Sequence, residues 1–276
     1  AKNKNRDYFV WIPRYAYRIT YYEDETCKKI TGYCDGRGFV DVNGNLKKDS
    51  PDDKKFELDE GIQTVDYSNN SYIVHPAFVN GTNNDYSNGE WKEDITGIWV
   101  GKYMTSGSTS DMKVIKGVSS IGNVTIGNSY SSALKYDKEK ESHLLKNSEW
   151  GAVAYLAHSK YGRNGNEISA NGNYVTGSGG IKSSTTGNMF GIFDLSGNRY
   201  DYIAAFDTKS SNLSYGNSFA KKDNISTPYA TAYENGTTRT NGDIIYTVSK
   251  IGDAIKEVYK GTSSKSWFLN DAFVMN

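Results

Sequence analysis

The sequence has 276 residues, 37% of them hydrophobic and 23% charged, so it is too apolar for a disordered chain and long enough for one large globular domain. Its 32 Lys and Arg residues balance 32 Asp and Glu residues, which removes the electrostatic argument for a nucleic-acid partner. We also expect no direct membrane insertion by these residues, because no apolar run is long enough to cross a bilayer. The 22 Tyr and 28 Gly residues favour many short strands joined by long structured loops.

The N-terminal part of the chain is rich in aromatic and β-branched residues. Residues 8–22, YFVWIPRYAYRITYY, predict a strand that breaks or bulges at Pro13. The spacing of Cys27 and Cys34 allows a disulfide that closes a small hairpin, and two unpaired thiols in a reducing compartment are the alternative. Residues 46–60 carry dense mixed charge, which is typical of a solvated loop.

Further along the chain, short apolar runs bounded by Gly, Asn and Pro predict buried strands in residues 71–78 and 95–104. The polar, glycine-rich residues 163–188 have little to bury, so we expect a long surface loop there. Residues 252–260 predict a short helix with an apolar inner face.

The clearest helix is predicted over residues 147–162, NSEWGAVAYLAHSKYG. Asn147 or Ser148 is placed to cap its start, and Gly162 is placed to end it in a left-handed conformation. The residues predicted to face inward are Trp150, Val153, Ala154, Ala157 and Tyr161.

Residues 188–203, NMFGIFDLSGNRYDYI, carry the most specific pattern in the chain. They resemble the N-x-x-G-L-x-D-M-x-G-N-x-W-E-W signature of the formylglycine-generating enzyme family, and Glu149 and Trp150 stand where that family has an E-W pair on an upstream helix. The positions on the signature frame are Asn188, Gly191, Asp194, Gly197, Asn198 and Asp201.

This resemblance implies an α+β, C-type-lectin-like fold with few helices, short antiparallel strands and long structured loops. It implies a single domain over residues 1–276, in which residues 23–70 form an inserted or peripheral lobe. Members of this fold group usually continue to a terminal R-G-G segment that builds much of the ligand face, so the resemblance implies that this segment is absent from the sequence, which stops at WFLNDAFVMN.

The family's signature turn holds a structural calcium ion, so the resemblance also implies calcium here. Asp194 and Asp201 would supply carboxylates, and Gly197 and Arg199 would supply backbone carbonyls, which are the hard oxygen ligands that calcium prefers. The alternative is a tight turn in which Asp194 accepts hydrogen bonds from backbone N–H groups and Asp201 pairs with a Lys or Arg.

The residues that carry chemistry in the family are not matched. The enzyme's two active cysteines follow the signature, whereas this chain has no cysteine after Cys34, so copper-thiolate oxidation is unsupported. The related iron-dependent sulfoxide synthases need a histidine cluster, and His75, His143 and His158 are scattered along the sequence. The sequence therefore predicts a protein that is not an enzyme, with a metal-dependent oxidase that uses a reassigned site as the alternative.

Among the branches of this fold, the chain looks most like the variable proteins of diversity-generating retroelements and the modules at the tips of phage tails and pilus-like structures. That likeness implies an extracellular binding or display module, an adhesin or host-recognition protein, on a bacterial cell surface or phage virion. Its partner would be a protein or glycan on another cell surface, and a structural subunit of a filament or virion is the alternative. The candidate ligand contacts are Tyr200, Tyr202, Asp207, Asn212, Tyr215 and Asn217, of which Tyr200 and Tyr202 fit core positions better.

Overall fold

The computed structural model describes residues 6–19, 39–40, 46–47, 56–59, 73–80, 91–158, 161–163, 171–195, 197–199, 201–207, 228–233, 236–238 and 244–246. Within these ranges the chain forms two α-helices and thirteen short strands, which is an α+β architecture with few helices, as predicted. The predicted helix at residues 252–260 and the two cysteines lie outside the described residues.

The strands are β1 (Phe9–Pro13), β2 (Ala16–Ile19), β3 (Phe39–Val40), β4 (Leu46–Lys47), β5 (Phe56–Asp59), β6 (Ile73–Val74), β7 (Gly97–Gly101), β8 (Ser106–Ser108), β9 (Asp111–Lys113), β10 (Ala205–Asp207), β11 (Thr231–Tyr233), β12 (Gly236–Thr238) and β13 (Ile244–Tyr246). The helices are α1 (Ile126–Tyr136) and α2 (Asn147–His158). The pairs β1–β7, β3–β4, β8–β9 and β12–β13 are antiparallel, as is the sheet of order β5-β2-β6, while β10 and β11 run parallel.

The ribbon of β1 and β7 has one buried face and one exposed face. Ile12 lies opposite Ile98 in the register and both are buried, whereas the neighbouring pair Trp11 and Trp99 points to the other side. This alternation follows from the two-residue period of a strand. The chain leaves the ribbon at Pro13, which confirms the predicted break.

Residues 46–60 were expected to be a solvated loop, and that prediction is wrong for residues 46–47 and 56–59, which are the part that the structure describes. They contain β4 and β5, and β5 pairs with β2 so that Phe56 lies opposite Ile19. The reason is the F-E-L-D alternation at residues 56–59, which suits a strand despite the charged residues around it. Residues 56–59 of the predicted 23–70 lobe are thus hydrogen-bonded into a sheet with β2.

Helix α2 is confirmed and is enclosed on nearly every side. Ala152, Val153, Ala154 and Tyr155 are all fully buried, so consecutive residues rather than one stripe face the protein interior. The helix ends at His158, earlier than predicted.

The C-terminal end of α2 differs from the expectation in two respects. Tyr161 was predicted to face inward but is 58% exposed, because it lies beyond the last helical turn. Gly162 does not adopt the expected left-handed conformation. A Cβ at this position would lie 2.5 Å from the carbonyl oxygens of Leu156 and Ala157, so the glycine is needed for a close approach to the helix end.

The core joins α2 to the N-terminal strands through a cluster of rings. Tyr15 packs against His75 and Phe78 at centroid distances of 5.5 and 5.4 Å, and His75 packs against Tyr155 at 5.0 Å. The buried hydroxyl of Tyr15 donates a 2.6 Å hydrogen bond to the carbonyl oxygen of Ala152. Phe78 belongs to a 3₁₀ turn, Pro76–Phe78, so within the described residues 73–78 the apolar run forms a strand at β6 and then a turn.

Helix α1 was not anticipated from the sequence. Thr125 caps it by accepting a hydrogen bond from the N–H of Asn128, and Tyr130 and Ala133 face inward. Tyr130 packs with Ala204 and Ala230 in a second, smaller core cluster. The helix therefore brings the segment after the signature turn into the fold.

Candidate functional site

The first part of the signature segment is a tight turn closed by one amide side chain. Asn188 Oδ1 accepts hydrogen bonds from the N–H groups of Phe190 (2.9 Å) and Gly191 (2.8 Å). Thr186 Oγ1 accepts from the N–H of Ile192 at 3.0 Å, and a Cβ on Gly191 would collide with that same hydroxyl. Only glycine fits at residue 191, so the turn is fixed on both sides of Phe190.

This turn exposes two large apolar side chains. Phe190 is 86% exposed and Met189 is 64% exposed, while Lys102 Nζ donates a 2.7 Å hydrogen bond to the carbonyl oxygen of Met189. The turn is thereby tied to the residue that follows β7. Two adjacent exposed apolar side chains on a fixed turn provide a small apolar surface that a partner could contact.

Asp194 is fully buried and connects the signature segment to the loop before it. Asn171 Nδ2 donates to Asp194 Oδ1 at 2.9 Å, and the N–H of Gly177 donates to Asp194 Oδ2 at 2.6 Å. Burial raises the pKa of Asp194, and the two hydrogen bonds act in the opposite direction. The residue has a φ of 68°, a conformation that aspartate tolerates better than most side chains.

The other residues of the implied calcium set have different neighbours. Asp201 Oδ2 accepts a hydrogen bond from Trp150 Nε1 at 3.3 Å, which links the signature to α2. Gly197 bridges to Asn171 in a parallel arrangement, and Arg199 directs its side chain toward Ser120.

Each oxygen of Asp194 accepts one N–H donor. A cation bound through this carboxylate would have to share these oxygens with the donors, whereas calcium prefers a shell of oxygen atoms. The described ranges also contain no group of three or more His, Cys, Asp and Glu side chains arranged for a metal. The contacts of Asp194 agree in part with the alternative derived from the sequence, since one of its two donors is the backbone N–H of Gly177 and the other is the side-chain amide of Asn171. The pairing of Asp201 with a Lys or Arg and the calcium set both stay predictions.

Arg199 is held in a defined orientation on this side of the molecule. Its Nε donates to Ser120 Oγ at 3.1 Å, and its Cζ lies 3.9 Å from the centroid of the Tyr174 ring. The same hydroxyl of Ser120 lies 2.6 Å from Asn198 Oδ1. A Cβ on Gly122 would lie 2.4 Å from Arg199 Cζ, so the guanidinium packs directly on the glycine backbone.

A buried cluster of charged side chains at the start of α2 was missed at the level of sequence. His143 Nε2 lies 3.0 Å from Glu149 Oε1, Lys146 Nζ lies 3.6 Å from the same oxygen, and the N–H of Lys146 donates to Glu149 Oε2 at 2.8 Å. Lys146 and Glu149 are each 1% exposed. Glu149 therefore caps α2 from its first turn, where Asn147 or Ser148 had been expected to act.

Aromatic rings enclose this cluster. Lys146 Nζ lies 3.7 Å from the centroid of the Trp91 ring and donates to the carbonyl oxygen of Pro228 at 3.1 Å. Tyr229 stacks on His143 with centroids 5.1 Å apart. The cluster joins segments that are distant in sequence, and its cations are covered rather than open to a substrate.

The protonation of the cluster follows from its partners. His143 Nδ1 lies 2.7 Å from the carbonyl oxygen of Glu141, which can only accept, while Nε2 faces the Glu149 carboxylate, so both ring nitrogens act as donors. Burial lowers the pKa of His143, but the carboxylate of Glu149 outweighs it and the pKa is raised. For Glu149 the directions are reversed: burial raises its pKa, but Lys146 and His143 together lower it to about 2.

The predicted ligand contacts are described only in part. Tyr202 is half-buried and its hydroxyl donates to the carbonyl oxygen of Val124 at 3.1 Å, which agrees with a packing role. Asp207 ends β10. The remaining contacts, Tyr200, Asn212, Tyr215 and Asn217, lie outside the described residues, as does the Cys27–Cys34 pair.

Comparisons with known proteins leave the family open, since no protein-family model matches the chain and no curated protein matches it significantly. Among the described residues, no helix combines the length and apolar character that a membrane span requires.

Proposed function

We propose that this chain is an extracellular binding and display module with a C-type-lectin-like fold, carried on a bacterial cell surface or a phage virion. The resemblance of residues 188–203 to the formylglycine-generating enzyme signature supports this fold. The hydrogen bond from Trp150 to Asp201 is consistent with it, because it joins the upstream E-W pair to the signature segment. The α+β architecture with short strands is consistent with it as well.

The observation that carries the proposal is the fixed turn around Phe190. The ring of Phe190 is 86% exposed, and Asn188 Oδ1 holds the backbone of its turn. This backbone is therefore already ordered in the free protein. Binding then loses little conformational entropy, which is how rigid aromatic anchors contribute affinity. The ligand in this proposal is a protein or glycan on another cell surface.

The proposal is tested by screening the full chain against a glycan array and a cell-surface protein array, and by measuring the affinity of each hit with variants. Phe190→Ser removes the anchor and should weaken binding at least about tenfold. Asn188→Ala keeps the ring but removes the acceptor that fixes the turn, so it should also weaken binding. Trp99→Ser is the matched control, because Trp99 is 65% exposed and lies on β7.

Two results would contradict this proposal. An absence of any ligand on both arrays would remove its main support. Bound copper or iron together with oxidase turnover would favour the enzymatic alternative. If Trp99→Ser alone weakened binding, the module would stand but its contact surface would be the β1–β7 ribbon.

A further inference from the structure

Arg199 presents a fixed cationic group without a described anionic partner. Among the described residues, the hydrogen bond from its Nε to Ser120 Oγ at 3.1 Å and the contact with the Tyr174 ring are its polar interactions. No carboxylate within the described ranges forms an ion pair with it. Because only Nε is used, the two terminal nitrogens of the guanidinium keep their donors for another acceptor.

The surroundings of this guanidinium hold it in place, and the residue as a whole stays half-exposed. Tyr174 covers one side and is itself 56% exposed, while Gly122 contributes no side chain. Arg199 is only half-buried, so solvent reaches it. A guanidinium stacked on a ring and anchored through Nε has already lost much of its rotamer freedom, so a ligand gains its hydrogen bonds at a smaller entropy cost.

The side chain of Asn198, next to Arg199 in the sequence, contributes a further hydrogen-bond donor. Asn198 Nδ2 is buried and has no hydrogen-bond acceptor among the described residues, while Asn198 Oδ1 is occupied by Ser120 Oγ. A buried amide donor without an acceptor is unfavourable, and it belongs to a side chain that contacts the same Ser120 hydroxyl as Arg199 does. The fork of two terminal N–H groups matches the paired oxygens of a carboxylate, sulfate or phosphate.

We propose that Arg199, stacked on Tyr174 and anchored to Ser120, is a binding site for an anionic oxygen group, namely a carboxylate, sulfate or phosphate. The site uses different residues from the Phe190 turn and does not depend on the function proposed above. Such a group occurs on acidic peptide side chains and acidic sugars as a carboxylate, and on other ligands as sulfate or phosphate.

The test uses the full chain and follows the Arg199 Nε–H signal by nuclear magnetic resonance while sodium acetate, sodium sulfate or inorganic phosphate is added. A saturable shift with one ligand per chain is expected, and the anion that saturates at the lowest concentration identifies the source. Arg199→Gln should weaken that binding at least about tenfold, as loss of a charged hydrogen-bond pair does. In this variant the signal of Tyr174 replaces that of Arg199 as the reporter.

Two further variants separate the site from general charge and from misfolding. Arg6→Gln removes the same charge from an exposed position and should change the affinity by less than about twofold. Gly122→Ala keeps every charge but places a Cβ 2.4 Å from Arg199 Cζ, so it should displace the guanidinium and weaken binding while the far-ultraviolet circular dichroism stays unchanged. The absence of a saturable shift with all three anions, or equal losses in Arg199→Gln and Arg6→Gln, would overturn the proposal.

Discussion

Glu149 is an ionised carboxylate in the protein interior, and two cations determine whether it can remain so. Its carboxylate faces Lys146 and His143 and also accepts the N–H of Lys146 at the start of α2. Removing one partner from such a cluster leaves a buried charge without compensation, which costs more than the pair contributes. The cluster is therefore sensitive to single substitutions, since Lys146 and Glu149 are each 1% exposed.

Lys146→Met is expected to lower the free energy of unfolding by about 3–5 kcal/mol, because it deprives buried Glu149 of a cation. Urea denaturation followed by tryptophan fluorescence measures this change. Lys140→Met is the matched control, since Lys140 pairs with Asp137 at the surface and its side chain is 81% exposed. That control should cost less than about 1 kcal/mol, and equal losses in the two variants would contradict the assignment.

The pH dependence of stability should show Glu149 at its acidic end. Its pKa falls from an ordinary 4.5 to about 2 in the folded chain, so its contribution is present above the unfolded value and is lost as the pH falls through this window. Urea denaturation at a series of pH values between these limits should therefore show the wild type losing stability more steeply than Glu149→Gln. Parallel curves would show that the carboxylate is not held by its cations.

At the scale of elements, the β1–β7 ribbon depends on a glycine that leaves room for a neighbouring ring. A Cβ on Gly97 would lie 2.4 Å from the carbonyl oxygen of Ile12 and 2.5 Å from the Trp11 ring. The ribbon can pair Trp11 with Trp99, whose centroids are 5.2 Å apart, only while this space stays open.

Gly97→Ala is expected to lower the free energy of unfolding by about 1–3 kcal/mol, as overpacking does, and to change the tryptophan fluorescence of the folded chain because Trp11 must move. Gly172→Ala is the control, since nothing lies within 4 Å of a Cβ there. An unchanged spectrum and stability in Gly97→Ala would contradict the described packing of the ribbon.

The elements differed in how far their sequences revealed them. Helix α2 was predictable because its apolar residues recur at helical spacing, and the break between β1 and β2 because Pro13 limits pairing. Helix α1 escaped notice because its first turn contains Gly127 and Asn128, which have low helix propensity, so its cap and its packing compensate.

The sequence predicted where the candidate site lies in the chain, but it did not predict which residues contact each other there. The signature marked residues 188–201, but only the folded chain shows that Asn171 and Gly177 supply the donors for Asp194. The cluster around Glu149 depends on Trp91 and Tyr229, which are remote in sequence, and no local pattern indicates that they meet. Periodicity within one segment does not predict contacts between segments that are remote in sequence.

At the scale of the whole molecule, the donor arrangement at Asp194 predicts the response to calcium. We expect addition of calcium, or its removal by a chelator, to shift the thermal unfolding midpoint by less than about 1 °C, because N–H donors already hold both oxygens of Asp194 and a ligand stabilises the protein only as far as it binds the native state. Differential scanning calorimetry measures this. A rise of several degrees that disappears in Asp194→Asn would instead support the calcium set of Asp194, Gly197, Arg199 and Asp201.

The hydrogen bond between Tyr15 and Ala152 joins residues that are 137 positions apart in the sequence. It connects the link between β1 and β2 to helix α2 in the core. Contacts of this length must overcome the entropy of a large loop before they stabilise anything, which makes folding slow. On the ribosome, the first two strands leave the exit tunnel long before their partner helix has been synthesised. Their apolar faces therefore stay uncovered in the nascent chain during this interval, and uncovered apolar strands favour aggregation.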